Sequence, residues 1–263
     1  MTETAPRRSA RAAAPARVIP GCEAFRFEGG DLGALVLHGF TGNPTSMRPV
    51  GEYLASHGMT VIGPRYPGHG TSIEDLRRTR WPDWVGEAER ALDELRARCR
   101  DVVVVALSFG ASVGVHLAAT SPDRLRGLAF VNPHIRDKRL AFAKVGRLFM
   151  RTYKGVGNDI KKPGQNEEPY PRIPMPALAS MAAFQKLVRR ELPSVRLPVI
   201  VFHSPDDHVV PPDNARLLLD SIGSPEKELV ILPNSYHVAT LDYDAETILD
   251  RVLVFARDHA TDG

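Results

Sequence analysis

Val102-Val103-Val104-Val105-Ala106-Leu107-Ser108-Phe109-Gly110-Ala111 decides the fold: an unbroken apolar run, one serine, then a helical pattern. A continuous rather than alternating run is what a strand needs when helices cover both faces of its sheet. A serine at the carboxyl end of such a strand, opening a helix, has the context of a nucleophile elbow. The sharp turn brings strand and helix backbones together, so the positions two residues either side must be small. Gly110 meets that need. Ala106 stands where the G-x-S-x-G pattern has glycine and adds one methyl group at a crowded point.

Working outward, similar apolar runs occur at residues 34–37, 60–62, 128–131, 199–202 and 229–232. Amphipathic, helix-period stretches lie between or beyond them at 46–57, 82–98, 109–120, 212–222 and 244–257. Alternation of this kind predicts an α/β fold with a doubly wound, mostly parallel sheet. The interval 134–176 breaks the rhythm. It holds an amphipathic piece at 140–153, then Gly155 and Gly157, then Pro163, Pro169, Pro171, Pro174 and Pro176. Proline removes amide donors and fixes φ, so neither regular strand nor long helix is expected there. A connection of more than about 40 residues far exceeds an ordinary loop and reads as an inserted lid. Residues 18–263 are expected to form one domain carrying that insertion.

Composition narrows the function classes. The formal charge is +3, but Arg7, Arg8, Arg11 and Arg17 precede residue 18 against the single acid Glu3. The remainder balances to zero, so the folded part lacks the concentrated basic surface that nucleic acid requires. Residues 1–17 are rich in Ala, Pro and Arg, without apolar periodicity, and are expected to be a disordered basic tail. Arg11 and Arg17 interrupt the only candidate export signal. No run approaches the ~20 apolar residues that span a bilayer. Cys22 and Cys99 fit no disulfide framework and no metal motif. A cytoplasmic protein with reduced thiols is expected.

The elbow needs partners, and the chain supplies them at strand ends. His38-Gly39-Phe40-Thr41-Gly42 follows the first strand, and its glycines free backbone amides to converge on one oxygen. The amides of Phe40 and Phe109 are then the natural oxyanion pair. Asp206 and Asp207 follow the strand ending near 202, and His237 follows the strand ending near 232. Serine, acid, histidine in that order is the hydrolase order, and carboxyl ends are where parallel sheets place ligands. Asp207 is preferred over Asp206 because His208-Val209-Val210-Pro211 turns the chain back into apolar contact directly after it. His69, in Pro67-Gly68-His69-Gly70, reads as a loop or pocket-wall residue. His203 and His208 lack a third ligand at zinc spacing, so no metal and no cofactor is expected.

The motifs carry a resemblance. Residues 36–42 with Ser46-Met47-Arg48-Pro49, Gly68-His69-Gly70-Thr71 with Trp84, Leu107-Ser108, residues 207–212 and above all residues 234–244 resemble bacterial monoacylglycerol lipases. The related small thermostable carboxylesterases of the α/β-hydrolase superfamily share them. The resemblance implies an α/β-hydrolase fold, a Ser108–Asp207–His237 triad, Phe40 and Phe109 as oxyanion donors, and a small lipid ester as substrate. Residues 157–163 with Glu167 are similar to that family's lid segment. This implies Glu167, with Glu168 as rival, for glycerol hydroxyls and Val156 for the pocket wall. Because lipid substrates reside at membranes, a transient membrane-surface contact through the lid's apolar face is expected. Three other functions stay open: a general short-chain carboxylesterase, an acyltransferase and a non-catalytic binding protein on the same fold.

Overall fold

The computed structural model describes residues 17–146 and 148–261. The expected tail therefore lies outside the described residues except for Arg17, which is exposed. The described residues contain nine strands: β1 Phe25–Phe27, β2 Leu32–Leu37, β3 Thr60–Gly63, β4 Asp101–Leu107, β5 Leu125–Val131, β6 Thr152–Lys154, β7 Arg172–Pro174, β8 Val199–His203 and β9 Lys227–Ile231. Their helices are α1 Arg48–Ser56, α2 Ile73–Arg78, α3 Trp81–Arg96, α4 Phe109–Thr120, α5 Ala143–Gly146, α6 Met175–Glu191, α7 Asn214–Ser221 and α8 Ala245–Asp258. Seven strands form one sheet in the order β1-β3-β2-β4-β5-β8-β9. Only the β1–β3 pair is antiparallel; the rest are parallel, as the sequence predicts.

β4 lies at the centre because its side chains are apolar on both faces. Val102, Val104 and Ala106 join a core with α3, α4 and α6, while Val103, Val105 and Leu107 join a second core with α1 and α8. This is the two-residue strand period splitting one run between two layers. α4 is buried almost all round, since β4 packs on one side and α6 on another. A helix apolar on every side belongs inside a protein. Gly110 cannot be anything larger: a Cβ there would sit 2.8 Å from the Leu37 carbonyl oxygen and 2.9 Å from that of His38.

The interval after β5 departs from expectation in three ways. The amphipathic piece at 140–153 is not one helix: a 3-10 turn at Lys138–Phe142 leads into α5, which stops at Gly146, and Tyr153 belongs to β6. Glycine is a poor helix residue, and Leu148, Phe149 and Met150 beyond it face solvent. The proline-rich stretch does contain a strand, β7, paired antiparallel with β6. Pro174 ends that strand in an isolated two-stranded ribbon, where proline costs little. Third, α6 starts directly behind the prolines, with Pro176 in its first turn, where the missing N–H is no loss.

Among the described residues, no helix is long and apolar enough to cross a membrane.

Candidate active site

The serine occupies a sharp bend between strand and helix. Ser108 has φ 56° and ψ −119°, between the end of β4 and the start of α4. A non-glycine residue held in such a region costs about 1–3 kcal/mol and persists only when its surroundings over-determine it. Here they do: the Ser108 amide donates to Val131 (2.9 Å), and its carbonyl accepts from Ala111 (3.1 Å) and His134 (3.0 Å). The side chain is 6% exposed and lines a cavity, as does His237. Among the described residues Ser108 Oγ has no hydrogen-bond partner. A loose serine–imidazole contact is common before substrate binds.

Asp207 and His237 are held together directly, with Nδ1 of the ring 2.7 Å from Oδ2 of the carboxylate. The other carboxylate oxygen accepts from the Val209 and Val210 amides, both at 2.8 Å. Burial penalises the Asp207 charge, but the imidazole and those two amides outweigh it and keep the carboxyl below its usual range. Burial likewise opposes charge on His237. Asp207 first, then Glu167 and Asp159, overcome that penalty and raise its pKa. Asp206 is exposed and reaches only Lys161, at 3.7 Å. The sequence preference for Asp207 matches this arrangement.

Above the serine, the His38–Gly42 loop approaches closely: a Cβ on Gly39 would lie 3.3 Å from that of Ser108. Neither the Phe40 nor the Phe109 amide donates to a protein acceptor among the described residues. Both are therefore available to an oxyanion. His38 braces this loop from behind. Its Nε2 accepts from the Tyr66 amide (3.2 Å), so Nδ1 carries the proton and donates to the Gly39 carbonyl (2.8 Å). Complete burial pushes its pKa down to about 4, which keeps the ring neutral. His69 is not in the pocket wall. It is fully buried with its ring 5.7 Å from Phe40 and 5.6 Å from Trp84.

The cavity beside Ser108 and His237 is partly open to solvent. Leu140, Ile173, Leu178, Met181 and Val209 give it an apolar wall, a lining suited to a hydrocarbon chain. Val156 sits at the rim and is 58% exposed. Glu167 faces inward at 9% exposure, with Oε2 lying over Gly42, whereas Glu168 faces solvent. Burial raises the Glu167 carboxyl to about 7. Its carboxylate oxygens have no hydrogen-bond donor among the described residues, while its backbone is fixed by Asn43 (2.8 Å) and Asn158 (3.2 Å).

Four residues that the sequence reading did not single out organise this site. Asn132, at φ 44° just after β5, donates to the His237 carbonyl (2.8 Å) and to Ser204 Oγ (3.0 Å). Asp242 accepts from the Tyr236, Lys161 and Lys162 amides at 2.7–2.9 Å. Asp159 accepts from the His237 amide. His134 lines the cavity; its Nε2 has no hydrogen-bond partner among the described residues, with Asp137 Oδ2 3.9 Å away, and burial pushes its pKa down to about 4. The Asn132, Asp159 and Asp242 contacts to the His237 loop or the covering segment carry no periodic signature. Only the density of polar residues in 157–167 and 234–244 hinted at them. Among the described residues there is no group of three or more metal-ligating side chains.

Comparison with known proteins gives a consistent picture. The sequence family described as serine aminopeptidase, S33, matches residues 33–244. A thermostable monoacylglycerol lipase from a Bacillus species is 40% identical over 244 residues, 92% of this chain and 97% of that protein. A carboxylesterase from Bacillus subtilis is 29% identical over 237 residues, 88% of this chain and 94% of that one. A solved structure of a metagenome-derived lipolytic enzyme superposes with a TM-score of 0.89 at 40% identity, covering 92% of this chain and 100% of the other. A Paleococcus ferrophilus monoacylglycerol lipase, 18% identical, shares the fold with a TM-score of 0.77 over 90% of this chain and 98% of its own.

Proposed function

The chain belongs to the serine aminopeptidase S33 family of the α/β-hydrolase superfamily and is a carboxylic ester hydrolase, and from that premise we propose that it cleaves monoacylglycerols through Ser108, His237 and Asp207. The observation that carries this reading is the conjunction at one cavity: a strained serine, an aspartate–histidine pair at 2.7 Å and two unengaged amides.

His237 Nε2 takes the Ser108 proton as Oγ attacks the ester carbonyl, and Asp207 holds the ring tautomer and stabilises its charged form. The Phe40 and Phe109 amides receive the oxyanion, each contributing about 3–4 kcal/mol to lowering the barrier. The alcohol leaves with the proton from His237, and water repeats the sequence on the acyl-serine. The apolar wall, with Val156 at its rim, receives the acyl chain, and the Glu167 carboxyl meets glycerol hydroxyls. Its lack of a protein donor and its position over Gly42 support that role. The two buried free thiols support a cytoplasmic setting. Leu148 and Phe149, 72% and 83% exposed on the covering segment, support brief contact with a lipid surface.

Ser108→Ala should abolish turnover and fluorophosphonate labelling while leaving the circular dichroism spectrum unchanged. Retained turnover rejects the assignment. Monoacylglycerols compared with p-nitrophenyl esters of equal chain length, each with Glu167→Ala, separate glycerol recognition from general esterase action. A loss confined to monoacylglycerols supports Glu167, and an equal loss on both substrates refutes its role.

A further inference from the structure

The segment between β5 and α6 reaches back to the histidine loop through one buried carboxylate. Asp159 is 9% exposed. Its Oδ2 accepts from the His237 amide (3.1 Å) and the His208 amide (3.2 Å), and its Oδ1 lies 2.9 Å from His208 Nδ1. Its own carbonyl accepts from the Val238 amide at 3.1 Å. One residue of the covering segment thus holds the backbone on both sides of the His237 ring, and the residue next to Asp207 as well. Amides are ordinary partners for a carboxylate, but these two belong to the loops carrying the proposed base and its acid.

We propose that Asp159 is a positioning residue for His237, fixing the imidazole's backbone from the covering segment and adding a second negative charge behind it. The inference rests on His237 being the base. Asp207 orients the ring from one end, through Nδ1. Asp159 acts from the other, through the main chain, where displacement of the loop swings Nε2 away from Ser108. A misplacement of about 1 Å is enough to cost two orders of magnitude in rate. The titratable groups facing the ring are Asp207 on the loop after β8, Glu167 and Asp159 on the covering segment, and His134 after β5. His208 and Glu167 share the surroundings of Asp159. Both Asp159 and Glu167 favour the protonated imidazole, so removing either charge lets the free base persist at lower pH.

The test measures kcat/KM against pH for Asp159→Asn, Asp159→Glu, His208→Ala and Ser108→Ala on a soluble p-nitrophenyl ester. Asp159→Asn is expected to lose about tenfold or more and to move the acidic limb at least about half a unit lower. Asp159→Glu keeps the charge, so its limb stays in place while its rate falls because the carboxylate is displaced. His208→Ala removes one Asp159 contact without touching His237 and is expected to stay within about twofold of the parent. A merely structural role predicts rate loss in Asp159→Asn with an unmoved limb, and that result overturns the proposal. So does a His208→Ala profile that copies Asp159→Asn. If Asp159→Asn does not fold, Asp159→Glu carries the test, and a rate equal to the parent's refutes it. Ser108→Ala separates the two levels of failure. Activity in that variant sinks the reading of the whole site, whereas an inactive Ser108→Ala beside a wild-type-like Asp159→Asn sinks only this inference.

Discussion

The two halves of the covering segment are held by different physics. Residues 157–170 are fastened to both sides of the site by polar contacts. Asp242 takes the Lys161 and Lys162 amides, Asp159 takes those of His237 and His208, Asn43 donates to Glu167, and the Tyr170 amide donates to the Thr41 carbonyl. Residues 141–156, among the described residues, form hydrogen bonds within themselves, with the turn just before them through the Ala143 amide and the Leu140 carbonyl, and with residues 171–175. Their large side chains are turned outward, with Leu148, Phe149, Met150 and Val156 all exposed. Polar fastening is directional and sets side chains to within fractions of an ångström, whereas apolar contact sets only proximity. The difference divides the labour: one half belongs to the site's architecture, and the other is free to meet a hydrocarbon surface.

Cutting the polar half should have the largest effect. Asp242→Ala strands four amides at a position 2% exposed, and an expected loss of about 3 kcal/mol or more in urea unfolding checks it. A loss below about 0.5 kcal/mol would mean that the two halves are not held differently at all.

Glu167 sharpens the contrast, because it is a buried carboxyl of the fastened half that has no hydrogen-bond donor among the described residues. Burial raises its pKa to about 7 from an ordinary 4.5, so the unfolded chain ionises first and binds fewer protons. Stability therefore falls as pH rises from 4.5 and levels off above 7. Glu167→Gln is accordingly expected to be more stable than the parent by up to about 3 kcal/mol at pH 8 and equal to it near pH 4. Urea titrations at the two pH values decide this. A pH-independent difference would place the carboxyl in water instead.

The smallest effect belongs to the outward half. Phe149→Ser is expected to change stability by less than about 0.5 kcal/mol and leave turnover of a soluble ester intact. Its binding to lipid vesicles in a flotation assay should weaken. Equal loss on soluble and vesicular substrate would erase the division.

The same contrast explains what could be read from the sequence alone. The sheet was legible because each core strand is an apolar run whose alternate residues fill two cores, as β4 shows. Asp207 was legible because the two valines that follow it donate the amides that fix its Oδ1. Helix α6 was hidden behind Pro174 and Pro176, and its buried face includes Ser180 and Gln185, which blur the apolar pattern. Asp159 and His237 are 78 residues apart, and no local rule links two polar loops at that distance. Periodicity reports burial. It does not report which buried polar group meets which.

The turn at Ser108 has a consequence for how this sequence can drift over generations. The Ala106 methyl is accommodated in full burial, so one flank of the motif tolerates variation in size. The other flank does not, because the atoms crowding Gly110 are main-chain oxygens of β2 and the residue after it, which no compensating substitution can shrink. The glycine half of the motif is thus dictated by a neighbouring strand's peptide groups, and it would persist in a descendant that had lost every trace of its chemistry.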